Sequence, residues 1–228
     1  MENKKYRLAA SLICSNMMRL EDDIRLLMKG GIDFIHFDVM DGIFVQRYGL
    51  FPEILTQMRK FCSIPADFHM MVEDVEPYIK TFVDAGANQD DIFVVHAEST
   101  RHLHRAVRKI REQGLKAGVA LNPATSPEVL RYVLPDIDLI MLMAINPGVV
   151  GHKLIPQMMG KIADTRKMIA GRDNIIIEID GGVNFESAPQ MIAHGASMLV
   201  CGSQTIYRPQ EAPIDQKIRE LRQVLDKS

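Results

Sequence analysis

The stretch Phe34-Ile35-His36-Phe37-Asp38-Val39-Met40-Asp41-Gly42 decides how this chain is read. It opens as a short apolar run and closes on polar residues and a glycine. Too short for a separate buried helix and rich in Ile, Val and Phe, the run from Phe34 to Val39 suits a buried parallel strand. His36 and Asp38 alternate along it and therefore point to one face. Seven further runs share this build: Arg7–Ile13, Ala66–Met70, Ile92–His96, Ala117–Leu121, Leu139–Ala144, Ile175–Asp180 and Met198–Cys201.

Amphipathic stretches lie between the runs. Leu20–Lys29 carries Leu20, Ile24, Leu27 and Met28 on one face, and His102–Gln113 carries Leu103, Ala106, Val107 and Ile110 at helical spacing. Thr125-Ser126-Pro127-Glu128 combines a capping residue with Pro at the first helical position, which predicts a helix start. Gly30-Gly31, Gly86, Gly114, Gly171 and Gly195 sit where helices should stop. Eight strands alternating with about eight helices leave a doubly wound sheet or a closed (β/α)8 TIM barrel. The count of eight, and no Gly-rich dinucleotide loop after the first strand, favour an α/β barrel spanning residues 1–228 as one domain.

Composition excludes several classes. The chain has 228 residues, 47% hydrophobic and 25% charged, as one globular domain requires. Lys+Arg 27 against Asp+Glu 29 leaves −2, no global basic field for nucleic acid. No apolar run reaches the roughly 18–20 residues of a membrane span, and the start, Met1 to Arg7, has no signal-peptide core. Cys14, Cys62 and Cys201 are odd in number and form no C-x-x-C pattern, which predicts a reduced, cytoplasmic protein. Fifteen Met with no Trp suits adaptable core filling.

Polar residues close the strands at one end: Ser11; His36 to Gly42; His69-Met70-Met71; His96-Ala97-Glu98; Asn122-Pro123; Met143 to Gly148; Glu178 to Gly182; Gly202-Ser203. In a barrel these ends converge on one rim, where active sites sit. His36, Asp38, His69 and Asp180 make a plausible ligand shell for one divalent ion of the borderline class, Zn, Fe, Mn or Co. Singly, each could instead satisfy a buried hydrogen bond or cap a helix; four together at strand ends point to the ion. Asp38 and Asp180 also suit general acid–base work, with a shared metal as Lewis acid for the oxyanion between proton transfers. Asp41, at an odd offset from Asp38, should leave the mouth, and Glu178, one layer below Asp180, reads as structural. Asn146 to Gly151, Gly181-Gly182 and Gly202-Ser203 form an arc of small residues, which predicts a phosphate held by amides and a helix dipole.

At these residues the sequence resembles the ribulose-phosphate 3-epimerase family, from about Leu8 to Tyr207. The resemblance is carried by Ser11-Leu-Ile, His36-Phe-Asp-Val-Met-Asp-Gly42, His69-Met-Met71, Leu121-Asn-Pro-Ala-Thr125, Asn146-Pro-Gly148, Asp180-Gly-Gly182 and Gly202-Ser203. It implies a ribulose-phosphate-binding barrel that inverts C3 of a ketose phosphate, interconverting D-ribulose 5-phosphate and D-xylulose 5-phosphate in pentose phosphate metabolism. It assigns His36, Asp38, His69 and Asp180 to a metal such as zinc, and Asp38 and Asp180 to acid/base roles on opposite faces of the substrate. It assigns Ser11, His69, Gly148, Val149, Val150, Gly151, Asp180, Gly181, Gly182, Gly202 and Ser203 to substrate and phosphate. Met40, Met71 and Met143 match methionines lining the site. The expected partners are a small sugar phosphate and further copies of the chain in a homo-oligomer, with no nucleic acid and no membrane.

The chain departs from the family pattern in two loops. Ile43 replaces a His, Gln46-Arg47 replace Pro-Asn, and Phe51 replaces a Gly. Val150 replaces a Gly and His152 a Gln. Arg47 either addresses a second anionic or hydroxylated end of a substrate or is a solvated loop charge. If it points into the mouth, the pentulose phosphate should be turned over poorly, and allulose 6-phosphate or another ketose phosphate becomes the alternative. If it faces solvent, the pentulose phosphate should be turned over normally. Two further readings compete: another enzyme on a phosphate-binding barrel, such as an aldolase, decarboxylase or synthase, and a non-catalytic sugar-phosphate sensor. A Schiff-base aldolase lacks its strand Lys here, and the intact quartet argues against the sensor.

Overall fold

A computed structural model describes residues 4–148 and 152–227. Eight parallel strands close into a barrel in chain order, the last pairing with the first: β1 Arg7–Ser11, β2 Phe34–Met40, β3 Ala66–Met71, β4 Ile92–His96, β5 Lys116–Leu121, β6 Leu139–Met143, β7 Ile176–Asp180 and β8 Met198–Cys201. The seven α-helices among the described residues are α1 Leu20–Gly30, α2 Pro52–Met58, α3 Glu76–Asp84, α4 Leu103–Glu112, α5 Met158–Met168, α6 Ser187–Ala193 and α7 Ile214–Asp226. None of them is long and apolar enough to cross a membrane.

Strand alternation divides the core in two. Phe34, Ile92, Val94, Leu139, Met141 and Met198 pack inside the barrel. Ile35, Phe37, Phe68, Phe93 and Ile140 pack outward, where Phe82 of α3 meets three of these rings. Ile24, Leu27, Ile218 and Leu221 add the inner faces of α1 and α7 to that layer. Phe34, His36, Asp38 and Met40 thus form the inward row of β2, with its two polar members between an apolar residue at each end.

The strand and helix bounds differ from the sequence expectation by one or two residues, with one exception in kind. Between β5 and β6 the predicted helix is replaced by two short 3₁₀ turns, Pro127–Leu130 and Leu134–Asp136. The start signal itself is present: the Ser126 side chain accepts from the Glu128 amide. Pro135 sits inside the second turn and, lacking an amide proton, cannot supply the bond to the Arg131 carbonyl that one continuous α-helix would need. Helix stops follow expectation, as at Gly31, whose φ of 75° lets its amide reach the carbonyls of Leu27 and Met28.

Candidate active site

Register brings the polar residues together. Asp38 of β2 stands beside His69 of β3, Ser11 of β1 beside His36, and Met143 of β6 beside Asp180 of β7. One ligand atom from each of His36, Asp38, His69 and Asp180 falls within 4.8 Å of the other three. His36 Nε2 lies 3.3 Å from Asp38 Oδ1 and 4.0 Å from Asp180 Oδ2. His69 Nδ1 lies 3.4 Å from Asp38 Oδ1 and 3.5 Å from Asp180 Oδ2. The two imidazoles are fully buried, whereas 18% of the Asp180 side chain is exposed.

The donor set fits a divalent ion. His36 Nε2 and His69 Nδ1 are buried without a hydrogen-bond partner, although each ring's other nitrogen is engaged. His36 Nδ1 bonds Asp67, and His69 Nε2 lies 2.8 Å from His96 Nε2. Two nitrogens and two carboxylate oxygens therefore converge on one point, a donor set that a divalent ion of the borderline class would satisfy. The carboxylates express this demand on His36: burial opposes its charge, yet Asp67 and Asp38 hold the imidazole well above its ordinary value. His69, with burial dominant, is held below it.

The two mouth carboxylates differ. Burial opposes the charge of Asp38, but His36 holds it well below the usual carboxylate range, and Ser11 Oγ donates to its Oδ2 at 2.9 Å. Burial, reinforced by the charge of Asp38, pushes Asp180 up to about 6. One carboxylate is thus suited to accept a proton and the other to hold one.

Three supporting residues escaped the sequence reading as members of the site. Asp67 precedes His69 by two positions on the same strand face, and the β2–β3 register sets it beside His36. His96 closes β4, with its Nδ1 3.1 Å from Glu98 Oε2. Glu98 Oε1 accepts from the Asn122 amide at 2.8 Å and from the Thr125 hydroxyl. Burial lowers His96 to about 4. Burial opposes the charge of Glu98, but His96, Thr125 and the Asn122 amide bring it down to about 2. Glu178 lies one layer deeper, as the sequence placed it: fully buried, 3.9 Å from His36 Nδ1, and raised well above its ordinary value by burial and by Asp67.

Above the quartet a cavity opens on the rim, with Asp38 and Asp180 in its wall. Ser11, Met40, Met71 and Met143 line it, as do Gly148, Gly181, Gly182, Gly202 and Ser203. His69 does not: it is fully buried and absent from that wall. Val149, Val150 and Gly151 lie outside the described residues. Cys14 and Gln204 also line the cavity without having been singled out, and both adjoin motifs that were. Asp41 faces away and pins two loops, accepting from the amides of Ile43, Phe44 and Glu73. Arg47 lines the cavity, and its guanidinium meets no carboxylate among the described residues. His152 lines it too.

A family model described as the ribulose-phosphate 3 epimerase family matches residues 7–206. A ribulose-phosphate 3-epimerase of Bacillus subtilis (strain 168) is 44% identical over 199 residues, covering 86% of this chain and 90% of that protein. One of Escherichia coli (strain K12) is 36% identical over 225 residues, covering 97% and 98%. Among solved structures, KGPDC from Streptococcus mutans superposes with a TM-score of 0.73 at 14% identity, covering 98% of this chain and 99% of that one. A 3-hexulose-6-phosphate synthase from Salmonella typhimurium gives 0.69 at 17%, covering 97% and 99%. At such identities these two likenesses speak for the fold alone.

Proposed function

The chain belongs to the ribulose-phosphate 3-epimerase family, and from that premise we propose an isomerase that inverts C3 of a ketose phosphate, converting D-ribulose 5-phosphate to D-xylulose 5-phosphate. The observation that carries the reading is the convergence of His36, Asp38, His69 and Asp180 at the floor of a rim cavity. Asp38 takes the C3 proton, leaving a cis-enediolate. Asp180 returns a proton to the opposite face, and the roles exchange in the reverse direction. Asp38 comes from β2 and Asp180 from β7, so the two carboxylates approach a substrate from different sides of the barrel. His36, Asp38, His69 and Asp180 would hold a divalent ion, Zn, Fe, Mn or Co, which would supply Lewis-acid stabilisation of negative charge developing on the substrate.

Ser11 orients Asp38 and meets the substrate. Gly148, Val149, Val150 and Gly151 contact the phosphate together with Gly181, Gly182, Gly202 and Ser203. Positive φ at Gly148, Gly181 and Gly182 supports that cradle, since such backbone brings amides close to an anion at no steric cost. Met40, Met71 and Met143 wall the enediolate. The free state of Cys14, Cys62 and Cys201 suits the reducing cytoplasm, where the reading places the enzyme.

A second reading has one observation in its favour. Arg47 lines the cavity, which favours an enzyme specialised for allulose 6-phosphate or another ketose phosphate, with the pentulose a poor substrate. The test of the common core is epimerisation of D-ribulose 5-phosphate by the purified chain, before and after exhaustive chelation. Activity that chelator abolishes and a stoichiometric divalent ion restores supports the reading. Activity indifferent to chelation sinks the role of the metal, and binding of pentulose and hexulose phosphates without turnover of any of them sinks the epimerase.

A further inference from the structure

We propose that His96 and Glu98 are positioning residues that set the His69 tautomer, so that Nδ1 is left as a lone pair aimed at the other ligands. The inference rests on the quartet being a metal site and assigns two residues that carry no role in the reaction described above. It starts at the outer end of the chain. Glu98 Oε1 is occupied by two donors, the Asn122 amide at 2.8 Å and the Thr125 hydroxyl. A carboxylate with both oxygens accepting makes Oε2 an acceptor, so His96 Nδ1, 3.1 Å away, carries the proton and donates. His96 is fully buried, and with its proton placed on Nδ1 by Glu98 its Nε2 presents a lone pair.

His69 Nε2 is 2.8 Å from that lone pair. Two imidazole nitrogens at hydrogen-bond distance must differ in protonation, one donating and one accepting. The proton of neutral His69 therefore resides on Nε2. Its Nδ1 is unprotonated, has no hydrogen-bond partner, and faces Asp38 and Asp180 at 3.4 and 3.5 Å. Phe44 packs against His96 at 4.7 Å between ring centroids and helps hold the ring in this setting. His36 is oriented by a different device, since Asp67 bonds its Nδ1 directly and leaves Nε2 on the side of the other ligands. The two histidine ligands are thus presented through opposite nitrogens, one by a carboxylate and one through an intervening imidazole.

Glu98→Gln reverses the polarity of this chain while changing almost no volume. The new amide oxygen must take the place of Oε1, because the Asn122 amide and the Thr125 hydroxyl both donate there. The amide nitrogen then points at His96 Nδ1 and donates, which moves the His96 proton to Nε2 and turns His69 Nε2 into an acceptor. His69 must then carry its proton on Nδ1, where the ion would bind. Loss of such a supporting group typically costs about 10–100-fold in metal affinity.

The experiment measures the Zn²⁺ dissociation constant of the full chain by chelator competition, for the parent and Glu98→Gln, with melting curves to verify folding. It also records ¹⁵N-histidine NMR spectra of the metal-free parent. The expected results are a dissociation constant raised about 10–100-fold in the variant and, in the parent, a His69 protonated on Nε2 with Nδ1 unprotonated. A folded variant that binds Zn²⁺ within twofold of the parent overturns the proposal. So does a parent spectrum with the His69 proton on Nδ1, and that measurement decides the matter even if Glu98→Gln does not fold. A parent that binds no Zn²⁺ at all overturns the metal-site reading itself, a different and separately visible failure.

Discussion

Asp38 and Asp180 carry the same functional group into opposite electrostatic settings, one held ionised by the His36 imidazole and the other pushed up to about 6 by burial and its neighbour's charge. Replacing either with Asn tests the proposed acid/base and ligand roles together. General acid–base catalysis alone is typically worth about 10²–10⁴-fold, so each Asn variant should lose more than ~10⁴-fold in kcat with its melting temperature nearly kept. A loss under about tenfold in either variant, measured at saturating Zn²⁺, would remove that residue from the proton path. Arg47 invites a different measurement, kcat/KM across pentulose, hexulose and tetrulose phosphates for the parent and Arg47→Asn. A site that hydrogen-bonds a substrate group can reject an analogue lacking it by about 10⁴-fold. If Arg47 reads the substrate, its replacement changes the ratios between substrates. Unchanged ratios with ribulose 5-phosphate preferred leave it a bystander. The quartet was legible in the sequence because alternation alone puts His36 and Asp38 on one face. Asp67, His96 and Glu98 were not, since their part depends on which residues stand opposite across β2–β3 and at the end of β4, which spacing along one strand does not reveal.

At the scale of elements, the loop after β2 closes over its own strand. The Gly49 and Leu50 amides bond back to the carbonyls of Met40 and Asp38, and Val45 beneath it abuts Gly148 on the loop after β6. A Cβ on Gly148 would sit 2.6 Å from Val45 Cβ, with the backbone at φ +80°. Gly148→Ala should therefore push the two loops apart, raising KM for the sugar phosphate several-fold and costing about 1–3 kcal/mol of stability. Wild-type KM in that variant would show that the loop contact does not shape the phosphate site. The seam between chain ends makes a second prediction. Asp33 accepts from the Leu8 amide and pairs with Lys4 and with Arg222 of α7. Burial opposes its charge, but Lys4, Arg222 and the amide bring the carboxyl below its ordinary value. A carboxyl depressed in the folded state contributes stability that is full above its unfolded value of about 3.9 and lost as pH falls through the lower folded value. Chemical denaturation across that acid range should show a steeper loss for the parent than for Asp33→Asn; parallel curves would exclude the ion-pair seam as a source of acid sensitivity. Strand bounds were legible because Ile, Val and Phe runs mark them closely. The β5–β6 connection was misread because Ser126-Pro127 starts a helix equally well whether or not Pro135 will stop it.

At the scale of the whole molecule, closure of the barrel converts residues spread from Ser11 to Ser203 into one mouth. Strict alternation of eight short apolar runs made that closure legible, and the polar residues at one end of each strand located the mouth before any contact was known. What the sequence left open is which residues face the bound molecule. His69 was expected to touch substrate as well as metal and instead lies wholly buried behind the cavity wall. The central claim is that this mouth removes a proton from one face of C3 and returns one to the other. The most direct measurement is turnover of D-ribulose 5-phosphate in D₂O by the metal-loaded parent chain, with the product read by NMR and mass spectrometry. The account predicts xylulose 5-phosphate carrying one deuterium at C3, because Asp180 exchanges with solvent before it delivers its proton. Complete turnover with the original C3 hydrogen retained would contradict it.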